Sequence, residues 1–160
     1  YGIGAAATIL VSSAHSKGDN KQVQHTVGIA LILAEAVALL VLVGLILGRN
    51  YLGYIFSDDP GIIAMTALAI LPMALYQPAD ALQVIYSNAL RGMEDVKHMA
   101  LYACGVHLII APALCLLFGF GLGLEGGGIQ LTAVWSAFPV SLLLLGVLLK
   151  RRFDHISIPR

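Results

Sequence analysis

The chain has 160 residues, of which 59% are hydrophobic and only 11% are charged. Soluble globular domains carry about 25% charged residues, so the composition excludes that class and indicates a membrane protein. Nine basic and nine acidic side chains cancel, and the net charge gives no support to binding of nucleic acid. No alternating strand pattern is present, so the sequence predicts an all-α fold, a polytopic transmembrane helical bundle.

The first residues already have the character of a membrane helix. Residues 1–16 are apolar and rich in small side chains, and we predict that they are the end of a helix that leads into a polar turn at 17–21. The chain starts with Tyr1, and no basic segment with a cleavage site follows it. We therefore expect the chain to be a fragment of a longer protein.

Four further apolar segments are long enough to cross a bilayer. At 1.5 Å per residue, the segment 26–48 covers roughly 35 Å, against about 30 Å for the hydrocarbon core of a membrane. The other predicted spans are 61–90, 99–119 and 128–149, and a basic tail follows at 150–160. All five segments would belong to one partial transmembrane lobe.

The basic residues are distributed unevenly between the two sides of these spans. Eight of the nine Lys and Arg residues fall in the turn at 17–21, the loop at 91–98 and the tail after 149. Only Arg49 lies on the other side. Because cytoplasmic loops of membrane proteins carry an excess of Lys and Arg, this distribution predicts a cytoplasmic C-terminus.

The span at 61–90 carries a carboxylate, Asp80, far from any other charge. On a helix, Tyr76, Asp80, Gln83 and Ser87 point within about 60° of one another and form one polar stripe. A charged residue at the membrane centre costs about 2.5–3.5 kcal/mol and usually faces a cavity or a partner. We therefore predict that Asp80 is functional. Tyr76 and Gln83 are explained equally well by hydrogen bonds between helices.

Two prolines lie in the same span. Pro72 and Pro78 lack a backbone N–H, so the carbonyl groups of Leu68 and Ala74 lose their usual hydrogen bonds. We predict that the helix bends near these prolines. A bent helix with free carbonyl groups beside a carboxylate is suited to binding a cation.

Two more polar residues interrupt the predicted spans. Glu35 is alone on its span, and a contact between helices in the protonated state is the preferred interpretation, with a role in ion coupling as the alternative. His107 has Cys104 three residues earlier but no acid or second His at ligand spacing. We therefore predict a packed or hydrogen-bonded His and no metal site.

Two enzyme-like features are rejected. The motif GxGxxG at 121–126 follows a helix, whereas a dinucleotide fingerprint follows a strand, so we predict a flexible turn there. No pairing of a nucleophile with a base appears anywhere in the chain, so we predict that the protein is not an enzyme. An intramembrane enzyme would need a second acid beside Asp80, and only Glu35 is available within the spans.

Several short motifs, in this order and with this spacing, resemble one family of transporters. They are GIGAA at 2–6, GDN at 18–20, FSD at 56–58, YQPADALQ at 76–83, LRG at 90–92 with Asp95, and VWSA at 134–137. The family is that of the multidrug and toxic compound extrusion (MATE) transporters, especially its bacterial NorM type. The most specific motif is the one at 76–83.

The resemblance implies a twelve-helix antiporter built from two six-helix lobes, of which this chain would supply the end of helix 8 through helix 12. Such a protein exports cationic or amphiphilic compounds from the bacterial cytoplasm, across the inner membrane, in exchange for Na⁺ or H⁺, and it needs no cofactor. By this resemblance, Asp80 and Tyr76 belong to a cation site that a carboxylate from helix 7 completes. Gln83, Ser87 and Glu35 remain possible contacts of substrate or ion.

Two alternatives stay open at this point. A flippase for lipid-linked oligosaccharides would have a related fold, but it should line its cavity with basic residues for the pyrophosphate, and the predicted spans contain none. A membrane scaffold without transport activity would tolerate replacement of Asp80 and of Pro78.

Overall fold

A computed structural model describes residues 1–158, and 89% of the chain is helical. The elements are α1 (Gly2–Ser16), α2 (Asn20–Leu52), α3 (Pro60–Gly92), α4 (Val96–Gly105), α5 (Ala111–Leu116) and α6 (Gly127–Ser157). No strand occurs among the described residues. The predicted all-α class is thereby confirmed.

Short non-α segments connect some of these helices. A 3₁₀ turn at Gly53–Ile55 extends α2, and π-helical segments at Val106–Ile110 and Leu117–Gly121 follow α4 and α5. The segment Val96–Gly121 is therefore one continuous apolar helical segment. Together with the long helices α2, α3 and α6, it makes four segments that are long and apolar enough to cross a membrane.

The helices extend beyond the apolar segments that hydropathy marks out, because polar residues cap them. The Asp19 carboxylate accepts a hydrogen bond from the backbone N–H of Gln22 at 3.0 Å, so α2 starts well before residue 26. At the start of α3, the Asp59 carboxylate accepts a hydrogen bond from the N–H of Gly61 at 2.7 Å. Pro60 occupies the first turn, where its missing N–H costs nothing.

The predicted tail at 150–160 is helical as far as Ser157, and Pro159 and Arg160 lie outside the described residues. This part of α6 keeps its helical form because it packs against the bundle. Phe153 is 4% exposed, and its ring centroid lies 5.6 Å from that of Tyr86 on α3.

Helix α3 is the centre of the bundle and packs against α1, α2 and α6. Close approach depends on glycine at two positions. A Cβ atom on Gly92 would come within 2.8 Å of the Thr8 carbonyl oxygen, and one on Gly146 within 2.7 Å of the Leu82 side chain. Small residues at helix contacts are typical of membrane bundles, where close packing replaces the hydrophobic effect.

The buried core is concentrated at one end of the bundle. We call this the ion-pair end; it comprises the turns at 17–19 and 93–95 and the last two turns of α6. Its most deeply buried side chains are Val11, Val23, Val27, Ile85, Leu90, Leu145 and Leu149, all at most 2% exposed. The opposite end, at 53–59 and 122–126, adds only Gly53 to the buried residues.

Asp95 joins two elements at the ion-pair end. Its carboxylate accepts a hydrogen bond from Arg152 Nε of α6 at 2.6 Å, and His98 Nδ1 lies 2.6 Å from its other oxygen. Partial burial by itself raises the pKa of Asp95, but the hydrogen bonds from Arg152 and His98 outweigh this and hold it below its usual value. The ion pair fixes the end of α6 to the loop after α3.

Candidate functional site

Asp80 lies on α3 and lines a cavity of about 210 Å³ that residues of α1, α2 and α3 enclose. The carboxylate is half-buried. Gly4 of α1 and Ala38 of α2 are among the small residues that form the wall. Gln77 also lines this cavity; the prediction from sequence omitted it, although a polar residue directly before Pro78 was a usable signal.

Hydrogen bonds connect the polar residues of the stripe. Gln83 Nε2 donates to Asp80 Oδ1 at 3.2 Å, and Ser87 Oγ donates to Gln83 Oε1 at 3.4 Å. Tyr76 lies one turn before Asp80 on α3. The structure therefore connects three residues of the predicted stripe, Asp80, Gln83 and Ser87, by hydrogen bonds.

A second polar contact joins α1 to α3 near the end of the stripe. Thr8 Oγ1 donates to Asn88, with 3.0 Å to the side-chain oxygen and 3.1 Å to the backbone oxygen. Asn88 Nδ2 in turn donates to the Val84 carbonyl at 2.8 Å. The prediction from sequence omitted Asn88, although it directly follows Ser87 in a span with few polar residues.

Both prolines of α3 lie inside one uninterrupted helix, with Pro72 buried and Pro78 half-buried. They line a different cavity from Asp80, of about 430 Å³, which lies between α2, α3 and α6. Pro139 of α6 lines the same cavity. The predicted bend of α3 stays a prediction.

Glu35 lines this second cavity and not the cavity of Asp80. The two carboxylates therefore line separate cavities. The face of α3 explains the separation: Ala79 lines the Glu35 cavity and Ala81 the Asp80 cavity, and residues two positions apart point about 160° apart on a helix.

A third cavity, of about 310 Å³, lies between α3 and α6 beyond the stripe. Met65, Met73 and Trp135 are among its lining residues, and Met73 lies one helical turn from Tyr76. The Trp135 ring centroid lies 5.4 Å from that of Phe138. Methionine and aromatic side chains adapt to apolar ligands of varied shape.

His107 differs from its prediction. It lies in the first π-helical segment, and its side chain is exposed in the part of the chain that the structure describes. Cys104 is exposed as well. Within residues 1–158, no group of three or more His, Cys, Asp or Glu side chains is placed to hold a metal ion.

The chain is similar in sequence to known transporters. The NorM protein of Bradyrhizobium diazoefficiens, described as a probable multidrug resistance protein, is 34% identical over 98% of this chain and 33% of its own length. The NorM protein of Neisseria meningitidis serogroup B is 27% identical over 92% of this chain and 31% of its own length. Protein DETOXIFICATION 17 of Arabidopsis thaliana is 33% identical over 91% and 30%. The chain thus spans about a third of the length of these relatives.

Its fold is also that of a solved structure. The crystal structure of the eukaryotic MATE transporter AtDTX14 matches 98% of this chain and 36% of its own length, with a TM-score of 0.71 and 22% sequence identity. The model of the MatE family matches residues 1–124. With helices that can span a membrane, this fold and this match, the chain is an integral membrane protein that belongs to the MatE family, the MATE transporters.

Proposed function

We propose that the complete protein is a secondary active antiporter, which exports cationic or amphiphilic compounds in exchange for Na⁺ or H⁺. The single observation that carries this proposal is Asp80, a carboxylate in a span, at the edge of a cavity and hydrogen-bonded to Gln83 at 3.2 Å. Membership of the MatE family and the names of the relatives support the same function.

In this proposal Asp80 binds the coupling ion, and Tyr76 supplies a second oxygen beside it. Binding of Na⁺ or H⁺ neutralises the carboxylate, so the cost of an isolated charge in the membrane disappears. Gln83, which donates a hydrogen bond to Asp80 Oδ1 at 3.2 Å, holds the carboxylate in place. Asp80 lies on α3 itself. A change in its charge therefore acts on the segment with Pro72 and Pro78, which we predict to bend.

The third cavity is suited to the apolar part of a substrate. Met73 and Trp135 offer an adaptable apolar surface, and Tyr76 follows one turn further along α3. An amphiphilic cation in this cavity would direct its charge toward the polar stripe. Gln83 and Ser87 continue the stripe and are further candidate contacts.

Efflux by the full-length protein in proteoliposomes tests the role of Asp80. We expect Asp80→Asn to reduce ion-driven efflux at least about 100-fold, because the amide cannot gain or lose a charge. The measurement uses an imposed Na⁺ gradient and an imposed H⁺ gradient in turn, which also identifies the coupling ion. Normal ion-driven efflux by Asp80→Asn would refute the proposal.

The matched control is Asp58→Asn, the same chemical change at an exposed position in the loop before α3. It should leave efflux unchanged. The thermal unfolding temperature of both variants is measured as well. A temperature equal to that of the wild type would show that a loss of efflux is a loss of coupling and not of structure.

We further propose that the protein lies in the bacterial inner membrane with its C-terminus in the cytoplasm, as the distribution of Lys and Arg predicts. No observation favours a flippase: the described spans between residues 26 and 48, 61 and 90, 99 and 119, and 128 and 149 contain no Lys or Arg. A scaffold without transport activity is distinguished by the same experiment, since it would show no ion-driven efflux in the wild type.

A further inference from the structure

A groove of about 360 Å³ lies between α1 and α2, and the proposed function does not use it. Small side chains form its floor, with Ala7 at 2% and Ala30 at 7% exposure. Its rims are large apolar side chains that are themselves exposed, Leu10, Ile29 and Leu33. Within residues 1–158, the groove is therefore open at the surface of the bundle.

The groove is polar at one end only. Gln22, His25 and Thr26 lie at the end next to the turn at 17–19, and the other lining residues of both helices are apolar. From Gln22 to Leu33 the groove follows α2 for roughly 16 Å, at 1.5 Å per residue. One leaflet of a hydrocarbon core about 30 Å thick has a similar depth. This arrangement matches the headgroup and acyl chain of a phospholipid.

Two lysines flank the polar end. Lys21 lies one turn before His25 on α2, and Lys17 caps α1 two turns after Leu10. Helical geometry therefore places both lysines on the faces that line the groove. Both are exposed, and within residues 1–158 neither forms an ion pair. The acid of the same turn, Asp19, instead accepts a hydrogen bond from a backbone N–H at the start of α2, at 3.0 Å. The polar end thus has a net positive charge.

We infer that this groove is a binding site for a phospholipid with an anionic headgroup, from the leaflet next to the ion-pair end. Its acyl chain lies over Ala7 and Ala30, and Lys17 and Lys21 bind its phosphate. Basic clusters beside transmembrane helices at a membrane surface bind acidic headgroups in this way. Exposed Gln22 can also donate a hydrogen bond to a phosphate or ester oxygen. In the orientation proposed above, this leaflet is the cytoplasmic one.

The groove shares a wall with the cavity of Asp80. Ile3 lines both, and α1 and α2 contribute to both. An acyl chain in the groove contacts the two helices at once and holds them at a fixed spacing. The lipid thus supports the wall of the Asp80 cavity without contact with the carboxylate.

Photochemical cross-linking to the full-length protein in lipid nanodiscs tests the inference. The probe is phosphatidylglycerol with a photoreactive diazirine in its acyl chain, at a low mole fraction in phosphatidylcholine. Photoreactive phosphatidylcholine with the same chains is the comparison lipid without net charge. Mass spectrometry measures the label on the peptides of α1 and α2 as a fraction of all label on the protein. Because two lysines act on the headgroup, we expect this fraction to be at least about ten-fold higher for phosphatidylglycerol.

A pair of lysine changes tests the charge. Lys17→Gln combined with Lys21→Gln should remove the preference for phosphatidylglycerol, a loss of at least about ten-fold, and leave labelling by phosphatidylcholine unchanged. Lys97→Gln combined with Arg151→Gln removes the same charge from exposed positions on α4 and α6. This matched control should leave both labelling fractions unchanged.

A second variant keeps the lysines and fills the groove. Ala6→Phe adds a ring at an exposed lining position and should reduce labelling of the groove by both lipids. Ala5→Phe, at the neighbouring exposed position outside the groove, is its control and should change neither. Unfolding temperatures equal to that of the wild type confirm that the variants are folded.

Three results would overturn the inference. Equal labelling by the two lipids would show that the charge of the headgroup has no role. No label on α1 and α2 is expected if another helix of the longer protein covers the groove. A preference that survives the loss of Lys17 and Lys21 would place the headgroup elsewhere. Because labelling is measured without transport, none of these results bears on the role proposed for Asp80.

Discussion

The two halves of α3 have very different surroundings. Near Leu90, at the ion-pair end, the helix is enclosed by α1, α2 and α6, and side chains such as Leu145 and Leu149 are 0% exposed. Between residues 62 and 82 the same helix borders the three cavities described above and contains two prolines. Of the two carboxylates in the spans, Asp80 lies on this second half of α3, and Glu35 lines one of the cavities beside it.

The difference separates anchoring from binding along a single helix. Well-packed regions resist deformation because any shift of their side chains loses contacts or creates clashes. A helix segment beside cavities, with carbonyl groups already free of hydrogen bonds, can change shape at lower cost. We therefore expect movement of α3 to be confined to residues before Leu82, while the ion-pair end keeps its arrangement.

The largest effect on stability is expected when two leucines of α6 are replaced in turn. Leu145→Ala removes a side chain that is 0% exposed, and we expect the free energy of unfolding to fall by about 2–5 kcal/mol. Leu143→Ala, the matched control, removes a side chain that is 52% exposed and lines the Glu35 cavity, and it should cost less than about 1 kcal/mol. Denaturant or thermal unfolding of the full-length protein measures both. Equal losses would show that the two regions are equally well packed.

A smaller effect is expected at Pro78. Pro78→Ala restores an N–H that can donate to the Ala74 carbonyl, which stiffens the flexible half of α3. We expect the efflux rate to fall about five-fold, a change of about 1 kcal/mol in the barrier, with an unfolding temperature equal to or above that of the wild type. Pro60→Ala, at the first turn of the same helix, is the control and should leave the rate unchanged. An unaltered rate in Pro78→Ala would contradict a role for the proline in movement.

The smallest effect concerns the ion pair of Asp95. Because its folded-state pKa is lowered, ionised Asp95 stabilises the fold above the ordinary carboxylate value of about 3.9, and this contribution disappears as the pH falls further. Asp95→Asn should therefore lower the free energy of unfolding by about 0.2–1 kcal/mol at pH 7. The difference from wild type should shrink as the pH falls from 7 to below the lowered folded-state pKa of Asp95. A difference that does not change between these pH values would show that the charge of Asp95 is not the cause.

Local spacing was sufficient to predict much of the molecule. The long apolar segments gave the membrane helices, and the 100° turn per residue placed Tyr76, Asp80, Gln83 and Ser87 on one stripe, where Gln83 and Ser87 make hydrogen bonds along it. The contacts that depend on which helix faces meet could not be predicted. These include the contact of Thr8 with Asn88 and the separation of Glu35 from Asp80. The exposure of His107 could not be predicted either, because hydropathy does not show which face of a helix the neighbouring helices cover.

The last helix also has a consequence for how the protein is made. Leu145, Leu149 and Phe153 of α6 fill the core between α1, α2 and α3, yet they are synthesised more than fifty residues after Leu90. While the ribosome is still adding α4 and α5, the inner faces of the earlier helices have no partner in this part of the chain. Assembly of the ion-pair end must therefore wait until α6 has entered the membrane, and a nascent chain halted at the turn at 122–126 should be recognised by quality-control proteases.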